Sequence, residues 1–146
     1  MGSETCLGFH ASLPCRKSEM SAVMVVHGGA WAIPDHLAEA SVDGVKAAAC
    51  EGFTLLKGGG SAVEAVEAAV RALEDNTAFD AGHGAVLNTD GEVELDAIIM
   101  DGKTLACGAV SCVKNIANPV SLARAVMEKV SSEILLALRN RRSRRY

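Results

Sequence analysis

"AVLNTDGEVELDAIIMDGKTLACGAVSCV", residues 85–113, is where the hydrophobic pattern changes its period, and so where the fold class is decided. Val93, Leu95 and Ala97 alternate with the acids Glu92, Glu94 and Asp96, which is the period of a half-buried strand. Two turn signals, Asp90-Gly91 and Asp101-Gly102, separate β-type runs and predict three consecutive antiparallel strands.

The residues on either side read differently. Upstream, "AVMVVHGG" (residues 22–29) is a short apolar run stopped by Gly28 and Gly29, and reads as a buried strand entering a flexible turn. From Pro34 the apolar positions Val42, Val45, Ala49, Phe53 and Leu56 recur at helical steps until the glycines at 58–60. Ser61 then begins "SAVE", a capping box that opens a second helix with Val63, Val66, Val70 and Leu73 on one face. The preceding "KGGGS" is not a phosphate loop, because Lys57 comes before the glycines and not after them. Downstream, Asn118-Pro119 is an N-cap with a helix-initiating proline, and Ala123, Val126 or Met127, Val130, Ile134 and Leu138 continue a helical stripe. Strand, helix, helix, three strands and helix make an α+β chain, not an alternating β-α array.

Composition bounds the function. A chain of 146 residues is one domain by length, and 49% hydrophobic with only 3% aromatic residues implies an aliphatic core packed from small side chains. The formal net charge of −4 gives no basic footprint for nucleic acid over the body of the chain. The exception is "RNRRSRRY", residues 139–146, whose five arginines read as a solvated tail or, alternatively, as a patch for RNA, anionic lipid or an import receptor. Five cysteines, Cys6, Cys15, Cys50, Cys107 and Cys112, with no C-x-x-C, indicate neither a disulfide framework nor a zinc site and fit a reducing, cytoplasmic setting. Residues 1–22 lack a signal-peptide core, and no apolar run is long enough to span a membrane.

Candidate chemistry concentrates in "FDAGHGAVLNTDG", residues 79–91, where acids, a histidine and an asparagine stand among glycines. His27 and His83, each against glycines, are candidates for general acid-base work, and Asp80 with Asp96 for an acid and base pair. Glu92, Glu94 and Asp96 share one strand face, either as a solvated surface or as a divalent-cation row. Neither histidine has a second ligand at a recognised metal spacing, and no G-x-S-x-G elbow is present.

Four stretches, "VVHGGAW" (25–31), "GGSAVEAVEAAVRALED" (59–75), "FDAGHGAVLNTDGEVELDAIIMDG" (79–102) and "GAVSCVKNIANPVSLARAVMEK" (108–129), together resemble the amino-terminal half of the isoaspartyl peptidase/L-asparaginase family, the plant-type asparaginases. The resemblance implies a partial αββα Ntn-hydrolase sandwich, the α-subunit half. It divides the chain into a leader of unclear role (1–22), an α-chain-like domain (23–129) and a divergent, arginine-rich end (130–146). It also implies a family reaction, hydrolysis of L-asparagine or β-aspartyl dipeptides by a threonine freed through self-cleavage, whose own amine is the base.

That threonine stands in Gly-Thr-Val-Gly in the family, and Thr5, Thr54, Thr77, Thr89 and Thr104 here have no such context, so the catalytic set is expected to be empty. The segment "LEDNTAFDAGH" resembles a loop that holds sodium through main-chain carbonyls, here those of Leu73, Glu74, Asn76, Phe79, Ala81 and His83. Gly28, Gly29 and Asp80 fall on substrate-site positions, with Asp80 where the family usually has Asn, and Trp31 where a smaller residue is common. The expectation is a truncated homologue, inactive alone and needing no catalytic cofactor. It would pair with a β chain or full-length relative, as a regulatory partner in one reading, or self-associate through unpaired strands. A further alternative is an active amidohydrolase with Cys107 or Ser111 as nucleophile.

Overall fold

The computed structural model describes residues 22–30 and 32–129. Within them helix α1 (Asp35–Lys57) and helix α2 (Ala62–Glu74) form an antiparallel pair, a 3-10 turn spans Gly82–Gly84, strands β1 (Leu95–Met100) and β2 (Cys107–Val113) form a hairpin, and helix α3 (Pro119–Lys129) covers one face of that hairpin. The arrangement is α+β, as the change of period requires.

The capping box forms in full. Ser61 Oγ accepts the Glu64 amide at 3.2 Å, and the Glu64 carboxylate takes the Ser61 amide at 2.8 Å, so two orphan donors at the start of α2 are satisfied reciprocally. At the preceding helix end Gly58, Gly59 and Gly60 donate to the carbonyls of Thr54, Leu56 and Leu55, which confirms the run of glycines as a helix stop.

Small residues, and not the large apolar ones, line the buried seam of α1: Ser41, Gly44, Ala48 and Gly52 are buried, whereas Val42 is exposed and Val45, Ala49, Phe53 and Leu56 are only partly covered. On α2 the buried positions are Ala65, Ala69 and Glu74, and Val66 is exposed. The apolar stripes expected on both helices are therefore displaced. The cause is close packing: a Cβ on Gly52 would stand 2.6 Å from the Ala65 carbonyl oxygen and 3.1 Å from the Ala69 Cβ, so the axes approach only through small side chains.

Two expected strands are not formed. Residues 22–27 are extended but pair with no strand among the described residues, and Val23 and Val25 are 76% and 85% exposed, while Met24 and Val26 turn partly onto the helices. A strand is defined by its neighbour, and among the described residues none pairs with this one. The run before Asp90 likewise makes no ladder. Its turn does form, because Asn88 donates its amide to the Glu92 carbonyl, and Asn88 Oδ1 accepts the amides of Asp90 and Glu92. The remaining pair is antiparallel with Ile98 opposite Ala109 and Met100 opposite Cys107, and a bulge lies between Leu95 and Ala97.

The core is Ile99, Val120 and Ala123, wrapped by Val63, Val70, Ala97, Val110 and Met127. Asn118 does not cap α3 with its side chain as expected. Its Nδ2 donates to Asp75 at 2.9 Å, and the Val120 amide is taken at 3.0 Å by Oε1 of Glu74, a carboxylate reaching across from the end of α2. A second link between these helices is Glu67, which accepts from Ser121 and pairs with the Arg124 guanidinium at 2.6 Å. Trp31, the leader and the stripe beyond Lys129 lie outside the described residues.

Candidate functional site

The glycine turn after residue 26 and the loop after α2 meet on one aromatic ring. Phe79 is buried, and a Cβ on Gly28 would lie 2.8 Å from its Cε1, while a Cβ on Gly44 would lie 2.6 Å from its Cε2. The ring is clamped between the turn and α1 because both flanking positions lack a side chain. Gly29 has φ of +104°, a backbone state that glycine adopts without strain, and its amide donates to His27 Nδ1 at 3.1 Å. His27 thus fastens the turn. A cavity of about 210 Å³ opens beside it, lined by Gly28, Gly29, Ile33, Ser41 and Phe79, and the Ser41 hydroxyl is buried with no hydrogen-bond partner among the described residues.

The loop from Leu73 to Gly84 folds back on itself. Asn76 Oδ1 accepts the Ala78 amide at 2.9 Å and turns the chain, and Gly82, at φ +53°, lies against the Glu74 carbonyl so closely that a Cβ there would stand 2.5 Å from its oxygen. Gly84 is packed in the same way on the Phe79 carbonyl. The carbonyls of Glu74 and Phe79 thereby lie against the glycines of its 3-10 turn. Neutral main-chain oxygens are donors that a hard monovalent cation accepts, and among the carbonyls that the resemblance implied those of Leu73, Asn76 and Ala81 receive backbone amides from Asn76, Phe79 and Gly84.

Asp80 sits next to Phe79, and its Oδ1 accepts the Val86 amide at 2.9 Å. The carboxylate closes the loop from 80 to 86, a task an asparagine carbonyl performs equally well, so replacement of Asn by Asp leaves this bond in place. Gly28 packs on the Phe79 ring, Gly29 lines the cavity beside it, and the Asp80 side chain closes the neighbouring loop. His83 is exposed and lines a different cavity, of about 420 Å³, with Asp75, Asn115 and Leu95.

The remaining candidates are drawn into other bonds. Glu92 and Glu94 both pair with Lys114, and Asp96 accepts the Cys112 amide at 2.8 Å. The hydroxyl of Ser111 beside Asp96 holds that carboxyl below its usual value. No cluster of three potential metal ligands exists among the described residues. The Ser111 hydroxyl serves Asp96, and no histidine is bonded to Ser111 or Cys107 among the described residues. Burial pushes the Glu74 carboxyl up, against its bond from Val120. For Glu67, burial also acts upward, but the Ser121 hydroxyl and Arg124 outweigh it and its value is lowered. Arg124 is raised, by Glu128 first and then by Glu67.

Sequence reasoning missed the Phe79 ring and the Glu74 side chain, reading both positions for their carbonyls only. A signal existed for the first: in so aromatic-poor a chain, a phenylalanine among loop glycines marks an anchor. The cap by Glu74 joins residues 46 apart and left no local signature.

A family model described as asparaginase matches residues 20–140, more than half of the chain. The chain belongs to that family. It is 57% identical over 118 residues to the isoaspartyl peptidase/L-asparaginase of Danio rerio, which covers 81% of this chain and 38% of the relative. The human isoaspartyl peptidase/L-asparaginase is 58% identical over 111 residues (75% and 36%), and the plant-type L-asparaginase of Thermococcus kodakarensis is 49% identical over 116 residues (79% and 38%). The chain thus spans little more than a third of the length of these relatives.

Proposed function

We propose that this sequence supplies the amino-terminal, α-type part of an asparaginase of the Ntn-hydrolase kind, and that by itself it does not hydrolyse L-asparagine or β-aspartyl dipeptides. One observation carries the reading: identity of 57% to a relative of which it matches only 38%, in a sequence without Gly-Thr-Val-Gly. The part present holds the scaffold side of the site. Gly28, Gly29 and Asp80 are the residues we assign to substrate-site support. The carbonyls of Leu73, Glu74, Asn76, Phe79, Ala81 and His83 are those we assign to a structural sodium, which would supply a fixed positive charge within the loop.

Asp80 affects any complemented site. An acid there lacks the donor an amide would offer, and it adds negative charge where an anionic substrate must sit. The open side of the hairpin is where a partner belongs. The remaining length of a full-length relative is the candidate in trans, and self-association is the other fate of an uncovered apolar face.

The test is an assay of purified chain for ammonia from L-asparagine and for aspartate from β-aspartyl dipeptides, with intact mass alongside. No turnover above buffer and one uncut chain are expected. Turnover abolished by Cys107→Ala or Ser111→Ala would replace this reading with one of a different nucleophile.

A further inference from the structure

Two turns carry the dipeptide Asp-Gly, Asp90-Gly91 and Asp101-Gly102, and the structure holds their aspartates in opposite ways. Asp90, Gly91 and Gly102 are exposed, and Asp101 is half-buried. The pairing matters chemically because a glycine has no Cβ to shield its nitrogen or to restrict rotation toward the preceding side chain. That nitrogen can attack Cγ of the aspartic acid: a C–N bond forms, one carboxyl oxygen leaves as water with the acid and amide protons, and a five-membered succinimide closes. Water then adds at either ring carbonyl. Opening at the α-carbonyl leaves the chain running through the former side chain, a β-aspartyl linkage. One water is released and one consumed, so the change is an isomerisation and needs no other reactant.

At Asp101 the electrophile is occupied. Oδ1 accepts the Lys103 amide at 3.0 Å and Oδ2 the Thr104 hydroxyl at 2.6 Å, while the Asp101 amide and carbonyl bond to Ala106 and Leu105. The Thr104 hydroxyl, and after it the Lys103 amide, hold this carboxyl below its ordinary value, and the ionised form they favour is the poorer electrophile. At Asp90 the carboxylate receives no hydrogen bond among the described residues. Asn88 Oδ1 takes the amides of Asp90 and Glu92 instead, and so fastens the backbone on both sides while leaving the acid free. The Gly91 amide donates to the Asn88 carbonyl at 3.0 Å, one bond in an exposed turn, whose local opening releases the nucleophile. Gly91 stands at φ +76°, so the residue that makes the dipeptide reactive is also the one the turn requires.

We propose that Asp90 is a site of spontaneous covalent modification, cyclising with Gly91 and reopening as a β-aspartyl linkage, and that the same dipeptide at Asp101-Gly102 is protected by its side-chain bonds. The linkage adds a backbone carbon between Asp90 and Gly91. Gly91 and Glu92 are then displaced from Asn88, whose carbonyl and side chain they bond, and Glu92 leaves the position in which it pairs with Lys114. The inference rests on the two turns alone and is independent of the hydrolytic reading.

The two turns give a site and an internal control in one chain. Full-length protein is incubated in mildly acidic buffer, with and without urea, and the peptides around 90 and 101 are followed by electron-transfer fragmentation, which cleaves the Cα–Cβ bond that only a β linkage places in the backbone. Dividing each site's rate in buffer by its rate in urea removes the influence of sequence neighbours. The quotient at Asp101 is expected to be at least about tenfold below that at Asp90, the factor for losing one bond to a charged group. Thr104→Ala should raise the Asp101 quotient toward that of Asp90 and leave Asp90 unchanged. Asp90→Glu should leave its peptide free of the linkage, because the six-membered ring closes far more slowly. Equal quotients at the two sites of the unaltered chain, or a larger one at Asp101, overturn the proposal. An Asp101 quotient unmoved by Thr104→Ala overturns the assigned protection, and a linkage that persists after Asp90→Glu overturns the assigned residue.

Discussion

The Phe79 clamp and the β1–β2 hairpin are built from opposite resources. Around Phe79 the chain closes by removing side chains: Gly28 and Gly44 admit the ring, and the adjoining seam of α1 is Ser41, Ala48 and Gly52. The hairpin instead presents large side chains on two faces and has a described cover, α3, on one of them only. Among the described residues the first region is closed by its own chain, and the second is covered on one face only. Substitutions at the first end should therefore cost far more than equivalent ones on the open face.

The largest effect is expected from Phe79→Ala, which empties the clamp and should cost about 3–5 kcal/mol in urea unfolding. Met100→Ala on the open face should cost several-fold less. Equal costs would erase the distinction between the two regions. Glu74→Ala should cost about 1–2 kcal/mol, because the α3 amide loses its acceptor, and Glu74→Gln less, because an amide oxygen can still receive the Val120 N–H. An Ala variant as stable as the unaltered chain would show that α3 docks by apolar contact alone.

The link between α2 and α3 also predicts a pH dependence. Glu67 has a value lowered in the folded chain by Ser121 and Arg124, so the folded state binds fewer protons than the unfolded one just below the ordinary glutamate value of 4.5. Its stabilisation is complete above 4.5 and is lost as the pH falls through the lowered value. Melting curves from pH 6 downward should be steeper for the unaltered chain than for Glu67→Gln, and identical slopes would remove this role. Smaller again is the cation effect: exchanging sodium for tetramethylammonium at constant ionic strength should lower the melting temperature if the loop from Leu73 to His83 binds the ion, and an unchanged curve would leave the loop without one. The smallest is Asp80→Asn, expected within about 0.5 kcal/mol because the acceptor for Val86 survives.

What the sequence revealed follows the range of the interactions. The helix limits, the Ser61–Glu64 box and the Asp101–Gly102 hairpin depend on neighbours a few positions apart, and each was readable. The displaced seams of α1 and α2 were not, because periodicity finds the apolar stripe without telling whether two helices meet on valines or on the glycine and alanine beside them. "AVMVV" has the composition of a strand, but pairing depends on a neighbour that sequence alone does not place. Gly28, Gly29 and Asp80 were named from motif positions by resemblance, whereas the packing of Phe79 on Gly28 and Gly44 came from the structure.

The central proposal, that this sequence supplies the amino-terminal, α-type part of an asparaginase, is tested most directly by complementation in trans. A carboxy-terminal portion of a relative, beginning at its threonine, is mixed with the full chain, and binding is followed by light scattering after size exclusion. A one-to-one complex is predicted, with Cys107 protected from alkylation in the complex. Failure to bind, while the chain alone is a cooperatively melting monomer, would contradict the account and show an independent fold.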